Sequence, residues 1–376
     1  MVSIFVGGDI INQYSHNMFI GDELAAIIRS ADYSIANLEG GIAENSSFQK
    51  MKQTCETPHL LKQAGFDMML LSNNHICDYG RSGLNYTVKY LDEENLEYIG
   101  AGISYNKATE PVVKKIDNLK FGFINVCEAQ HGYYEENSTA EFGYAWLGDA
   151  FLPERIKTLK SQVDVLLVFV HAGLEHFILP LRHYRDLYKR FCDLGADYVI
   201  GTHPHIAQGY EFYNNSCIFY SLGNLFFPRS PEADRNDREN CSFSLLLSFN
   251  HGQRDFRIIN HSIKNAIVEV ENDSHYIVDI ERLNNDLKED RYSELLKLQN
   301  KKAFNSLLLK LYNEAILGYG SNKAYEKMKF LLKQLFRTRE QKACEQSRRL
   351  FLLKHLLENE TYKYLAIETI KEMNNG

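Results

Sequence analysis

The sequence predicts an α/β fold built on mixed sheets, followed by a helical extension. Three observations lead there. Short apolar runs rich in β-branched residues alternate with segments of helical spacing over roughly the first 280 residues. Several of those runs stop at a polar residue able to hold a metal. From about Leu283 the pattern turns helical, amphipathic and lysine-rich, so two domains are expected, 1–285 and 286–376.

The elements follow in order. Ser3–Val6 reads as a strand that delivers Asp9 after Gly7-Gly8. Asp22–Ser30 has helical spacing with acidic residues in its first turn. Tyr33–Leu38 is a strand ending in Glu39-Gly40-Gly41, and Asp67–Leu71 repeats that grammar before Ser72-Asn73-Asn74-His75. A helix over Gly83–Asn95 and strands at Leu96–Ile99 and Lys120–Val126 come next. His131–Gly143 is polar and predicts an exposed loop. Pro153–Gln162 is a helix with its proline placed early. Asp164–Val170, the most apolar strand, hands over His171-Ala172-Gly173-Leu174-Glu175-His176. A helix over Leu181–Leu194 leads to the buried strand Ala196–Ile200.

After that strand stand His203 and His205, two residues apart. Pro204 lacks a backbone donor and pushes His203 toward an extended conformation, which predicts a loop. Cys217–Leu222 is a further strand, with Gly223-Asn224 at its end. Pro228–Asn240 has the composition of a disordered loop. Paired strands are expected at Ser242–Phe249 with Asp255–Ile259 and at Ala266–Val270 with His275–Ile280, making the sheets mixed rather than wholly parallel. The helical remainder is interrupted at Gly318-Tyr319-Gly320-Ser321.

A hydrophobic content of 44% with 24% charged residues suits a globular chain, and no apolar run reaches the length of a membrane span. Without a charged and apolar leader at its start, the chain is expected in the cytoplasm. Seven scattered cysteines with no C-x-x-C pair agree with reduced thiols. The net charge of −7 conceals an asymmetry: residues 301–376 hold 15 Lys+Arg against 8 Asp+Glu, while the rest is acidic. An acidic body argues against nucleic-acid binding. The tail residues Arg337, Arg339, Lys342, Arg348 and Arg349 suit a solvated helix face, with a partner protein, a membrane surface or an anionic polymer as the alternative. Arg229, Arg235 and Arg238 belong to a solvated loop or clamp an anionic small-molecule or polymer substrate.

The polar residues at successive strand ends are Asp9, Glu39, Asn74-His75, His171 and His203/His205. A sheet brings such loops to one rim. Two carboxylates, an amide oxygen and several imidazoles suit first-row metals without any thiolate. Glu175 and His176 are expected behind the ligands, orienting them. Asn224 serves a turn or touches substrate. His131, His183, His251, His261, His275 and His355 lie outside these motifs and are expected on the surface.

N-L-E-G (37–40), S-N-N-H (72–75), H-A-G-L-E-H (171–176), G-T-H-P-H-I-A-Q (201–208) and Y-S-L-G-N-L-F-F (220–227) resemble the CapA family of bacterial capsule and poly-gamma-glutamate synthesis. That family is related to the calcineurin-like metallophosphoesterases. The resemblance implies a four-layer αββα metallophosphoesterase-like sandwich with one or two divalent ions (Mn, Fe or Zn). By motif, Asp9, Glu39 and His205 would serve a first ion, with Glu39 bridging. Asn74, His171 and His203 would serve a second, and His75 would be the general acid or the leaving-oxygen stabiliser. Two departures stand out: the Asp-x-His histidine is missing from Asp9-Ile10-Ile11, and the bridging carboxylate is a glutamate. Asn12, His16 or a water are the candidates to fill the gap. The activity implied is that of a metal-dependent phosphoesterase-type hydrolase in capsule or exopolymer metabolism. The alternative is a non-catalytic or amide-ligation-assisting assembly protein that keeps the fold.

Overall fold

The computed structural model describes all residues except 14–18, 44–50, 136–138, 228–237, 251, 320–327, 331–332, 334–336 and 375–376. The backbone divides into two units, Met1–Lys288 and Glu289–Gly376.

In the first unit the strands are β1 (Val2–Ile10), β2 (Phe19–Ile20), β3 (Tyr33–Leu38), β4 (Met68–Leu70), β5 (Glu97–Ile99), β6 (Ala101–Gly102), β7 (Val112–Ile116), β8 (Leu119–Cys127) and β9 (Tyr133–Tyr134). They continue with β10 (Gly143–Ala145), β11 (Val165–His171), β12 (Tyr198–Thr202), β13 (Tyr210–Tyr213), β14 (Ser216–Phe219), β15 (Asn224–Phe226), β16 (Cys241–Asn250), β17 (Gln253–Lys264) and β18 (Ile267–Val270). The helices are α1 (Asp22–Ser30), α2 (Thr57–Ala64), α3 (Gly80–Glu93), α4 (Tyr105–Thr109), α5 (Leu152–Lys160), α6 (Arg182–Asp193) and α7 (Ile280–Asp286).

Two mixed sheets face each other. The larger has the order β2-β18-β17-β16-β1-β3-β4-β5, with β15 also on β1; the other runs β13-β14-β12-β11-β8-β7. Their central strands are parallel, β1-β3-β4-β5 in one and β8, β11, β12 and β14 in the other. Strand alternation sorts the side chains into two cores. Ile4, Val6, Ile35 and Met68 of one sheet pack on Phe123, Leu167, Phe169 and Ile200 of the other. Phe5, Ala36 and Met69 point outward instead, onto Leu24 and Ile28 of α1, Leu61 of α2 and Leu84 of α3. Helices α5 and α6 cover the second sheet, burying Ile156, Leu159, Tyr184 and Tyr188. The result is a helix–sheet–sheet–helix sandwich of four layers, as the resemblance implied.

Several expectations need correction. His131–Gly143 is not simply an exposed loop, because β9 lies in it and pairs with β10, and Tyr134 is buried. His275–Ile280 forms no strand. Asp273 accepts the backbone N–H of His275 at 3.0 Å and Asp279 caps α7 by accepting from Arg282 N at 3.0 Å, so turn and cap chemistry override the alternating pattern. His261 is not a surface residue: it is fully buried on β17 with Ser244 Oγ 3.0 Å from its Nε2. Residues 228–237, with Arg229 and Arg235, lie outside the described residues, as do His16 and His251.

The second unit contains α8 (Glu289–Ala303), which runs through a wider turn at Phe304–Leu308 into α9 (Leu309–Leu317). Gly318, at φ 84°, ends α9 in the left-handed conformation that glycine tolerates best. Thr338 and Gln341 form a capping box at the start of α10 (Arg339–Glu358), and α11 (Glu360–Asn374) follows. Part of the basic tail is engaged internally: Arg337 pairs with Glu345 at 3.1 Å, Arg348 with Glu314 at 2.7 Å, and Arg349 donates to carbonyls closing α9. Arg339 and Lys342 are exposed. No helix among the described residues is long and apolar enough to cross a membrane.

Candidate metal centre

The carboxyl ends of the parallel strands in both sheets supply the site. In β1 the register sets Asp9 opposite Asn37 of β3 and Asn224 of β15. Gly8 makes this approach feasible, since a Cβ there would lie 1.9 Å from the Gly223 carbonyl oxygen. In the second sheet His171 sits level with Cys127 of β8 and Thr202 of β12. The next residue after each of those two strands is Glu128 and His203, so the two rims present their polar side chains to one another.

Around Glu39 the donors form two overlapping sets. Asp9, Glu39 and His205 make one, and Glu39, His171 and His203 the other; within each, one ligand atom per residue lies within 4.8 Å of the rest. All five side chains are buried. Glu39 Oε1 is 3.8 Å from His171 Nε2, 3.7 Å from His205 Nε2 and 3.9 Å from His75 Nε2. Asp9 Oδ2 is 3.8 Å from His205 Nδ1. These separations are too long for good hydrogen bonds. They are close to the spacing of about 3.5 Å expected between neighbouring ligands on one ion with bonds of about 2.1 Å.

Hydrogen bonds fix which atoms face inward. Asn224 Nδ2 donates to the Glu239 carbonyl at 3.0 Å, which turns its Oδ1 to His205 Nδ1 at 3.0 Å. The proton therefore sits on Nδ1, and the Nε2 lone pair of His205 is directed at Glu39. On the other side a chain starts at Glu128. Its Oε1 accepts from Gln130 Nε2 at 2.8 Å, Gln130 Oε1 accepts from Asn74 Nδ2 at 3.2 Å, and Asn74 Oδ1 faces His171 Nε2 at 3.1 Å. The polarity of that chain is set by the carboxylate, which can only accept, so Asn74 presents its oxygen to the site. Tyr184 Oη and Gly173 N donate to the other Glu128 oxygen at 2.7 and 3.0 Å.

The backbone of the H-x-H loop is strained. His203 has φ 97° and His205 φ 59°, so Pro204 does not leave His203 extended as the sequence suggested. Each such residue costs about 1–3 kcal/mol and is held only by its surroundings. Here His203 N donates to Asp9 Oδ2 at 3.0 Å, tying the strained loop of one sheet to the first carboxylate of the other.

Electrostatics favour a cation. Burial opposes ionisation of Asp9, yet the hydrogen bond and charge of His171, the charge of His205 and the His203 N–H together hold its carboxyl below the usual range. Burial, and then the neighbouring imidazoles led by His171 and His205, push His203 well below the ordinary imidazole value, so it is a neutral ring with a lone pair to give. Asn37 Nδ2 donates to Asp9 Oδ1 at 2.7 Å, while its buried Oδ1 finds no hydrogen-bond partner among the described residues. Carboxylate, imidazole and amide oxygen without thiolate fit a divalent first-row metal.

The structure brings Asp9, Glu39, Asn74, His171, His203 and His205 to one place, with His75 at its edge. His75 is partly exposed, and its Nδ1 bonds Asp78 Oδ2 at 2.8 Å. Glu175 and His176 lie at the exposed lip, 3.6 Å apart; His176 Nδ1 also meets Glu239 Oε1 at 3.0 Å and its ring stacks on His205. Asn12 is turned away, donating to Gln53, Thr54 and Thr57, so it does not fill the gap after Asp9. The strand-end reading missed Glu128, although it directly follows β8 and obeys the same grammar. It also passed over Asn37 inside a quoted motif. Tyr184, on α6, carried no local signal at all.

Comparison with known proteins agrees with the motifs. The family model described as "Bacterial capsule synthesis protein PGA_cap" matches residues 4–229. The capsule biosynthesis protein CapA of Bacillus anthracis is 27% identical over 230 residues, covering 58% of this chain and 56% of that protein. The PGA biosynthesis protein CapA of Bacillus subtilis strain 168 is 29% identical over 231 residues, covering 59% and 57%. The chain thus spans little more than half the length of these relatives. Among solved structures, a putative 5'-nucleotidase from Staphylococcus aureus aligns at a TM-score of 0.41 and 16% identity, over 77% of this chain and 58% of that one. The NAD nucleotidase of Haemophilus influenzae aligns at 0.43 and 13%, over 72% and 52%. The family match spans more than half of the chain, which therefore belongs to the bacterial capsule synthesis PGA_cap family.

Proposed function

We propose that this chain is a metal-dependent hydrolase of phosphoesterase type, acting on an anionic small-molecule or polymer substrate in capsule or other exopolymer metabolism. The observation that carries the proposal is the pair of donor sets sharing Glu39 at the meeting of two sheet rims. Asp9, Glu39 and His205 would hold one divalent ion, and Glu39, His171, His203 and the Asn74 oxygen a second. Such ions supply Lewis acidity, offsetting charge on a phosphoryl group. His75 would hold a proton at Nε2 for the leaving oxygen, with Asp78 fixing the ring through Nδ1. The donors are buried, while His75, Glu175 and His176 at the edge of the site are partly or well exposed. Seven free thiols fit a cytoplasmic setting.

The test is purification with metal analysis and assay on a generic phosphate ester. We expect bound transition metal and turnover that His171→Ala and His203→Ala abolish. Metal-free protein, or activity untouched by both substitutions, contradicts the proposal. A second reading is a non-catalytic or amide-ligation-assisting assembly protein that keeps the fold, without phosphoesterase turnover of its own. It is favoured by the buried Ile11, which stands where the resemblance expects an imidazole. Metal bound without turnover on any phosphate ester supports this reading.

A further inference from the structure

The two donor sets are unequal. The set around His171 counts four protein donors once the Asn74 oxygen is included, whereas Asp9, Glu39 and His205 supply only three. A first-row ion takes at least four ligands. A third set is present at the lip: Glu175, His203 and His205 also offer ligand atoms that all lie within 4.8 Å of one another. It borrows one imidazole from each of the other sets, so the Glu175 carboxylate stands over the junction between them.

The loop carrying Glu175 is fixed rather than loosely draped. Gly173 N donates to the buried Glu128 at 3.0 Å and His176 N donates to the Pro204 carbonyl at 2.9 Å, on either side of Glu175. His176, at φ 65°, adopts a left-handed conformation that this second bond helps to hold. The carboxylate itself is about half exposed, with 45% of its side-chain surface accessible, and its ion pair to His176 Nε2 is long at 3.6 Å. This carboxylate stands beside two buried imidazoles, those of His203 and His205.

We propose that Glu175 is a direct metal ligand at the lip, acting with His203 and His205 beside the set that is one protein donor short. This rests on the metal-dependent reading of the site. It makes ion binding there dependent on a carboxylate at the exposed lip.

The experiment is calorimetric titration of the metal-stripped full chain with Mn2+, for the wild type, Glu175→Gln, Glu175→Ala and His176→Ala, with the melting temperature of each stripped protein. Because Glu175 is exposed, both of its variants should melt with the wild type. Glu175→Ala should weaken one binding event at least ~10-fold, the range seen even for residues behind the ligands, and Glu175→Gln should fall between. Co2+-loaded protein should show a changed visible spectrum in the same order. Wild-type binding with Glu175→Ala unchanged overturns this inference alone. An equal loss in His176→Ala also overturns it, since Glu175 would then act through His176. A wild type that binds no ion removes the metal reading and this inference together.

Discussion

Around Glu39, the Asp9–His205 side and the His171–His203 side differ less in their donors than in what holds those donors. On the His171 side, a buried carboxylate at Glu128 accepts three hydrogen bonds, from Gln130, Gly173 and Tyr184 of α6, and Gln130 in turn accepts one from Asn74. On the Asp9 side the bracing is by neutral amides, Asn37 on the carboxylate and Asn224 on the imidazole, and Ile11 adds no donor. A charged acceptor fixes orientation more firmly than an amide does, because its hydrogen bonds are stronger and run in one direction only. The difference teaches that the two ion positions should not have equal affinity, with the His171 side the tighter.

The comparison can be broken most forcefully by His171→Ala, which removes a donor from the tighter side. We expect its ion to be lost by more than ~100-fold in affinity, beyond the effect of residues that only orient ligands. Metal analysis after dialysis would show one equivalent fewer than wild type. Glu128→Gln comes next. Gln130 and Tyr184 lose a purely accepting partner, the Asn74 oxygen is no longer dictated, and the same ion should weaken by ~10–100-fold in calorimetry. The stripped protein should also lose about 1–3 kcal/mol of stability in urea melts.

Asn224→Ala sharpens the comparison from the other side. It frees the His205 tautomer, so the weaker event should move by ~10-fold while the tighter one stays put. The smallest effect on the ions is expected from His261→Gln, distant in the β16–β17 pair. Burial pushes His261 down to about 3 from 6.5. Its folded pKa is depressed, so the unfolded chain takes the proton first as pH falls, and stability is lost between about pH 6.5 and 3. The slope is at most ~1.4 kcal/mol per pH unit. His261→Gln should flatten that slope in melts between pH 6.5 and 4.5 and leave Mn2+ affinity unchanged; a changed affinity would couple this strand pair to the rim.

What the sequence revealed, and what it hid, follows from the range of the interactions involved. A strand ending in a donor is a local pattern, and Asp9, Glu39, Asn74, His171 and His203 were readable one strand at a time. The meeting of Asn224 with His205 and of Tyr184 with Glu128 is tertiary, set by β15 lying on β1 and α6 lying on its sheet, and no spacing announces it. His261 stood beyond the expected strand Asp255–Ile259 and was expected on the surface; β17 runs on to Lys264, and its pairing with β16 buries the imidazole. At His275–Ile280 the alternation was present but Asp273 and Asp279 stood ready as turn and cap residues, and local hydrogen bonding won. Glu128 is different: it was legible by the same rule as the others, one residue past the end of an apolar run.

The most direct measurement is calorimetry of the metal-stripped full chain titrated with Mn2+. The account predicts saturable binding in two unequal steps, the tighter one abolished by His171→Ala and the weaker by Asp9→Ala. A flat titration of the folded wild type, or binding that survives both substitutions, would contradict it.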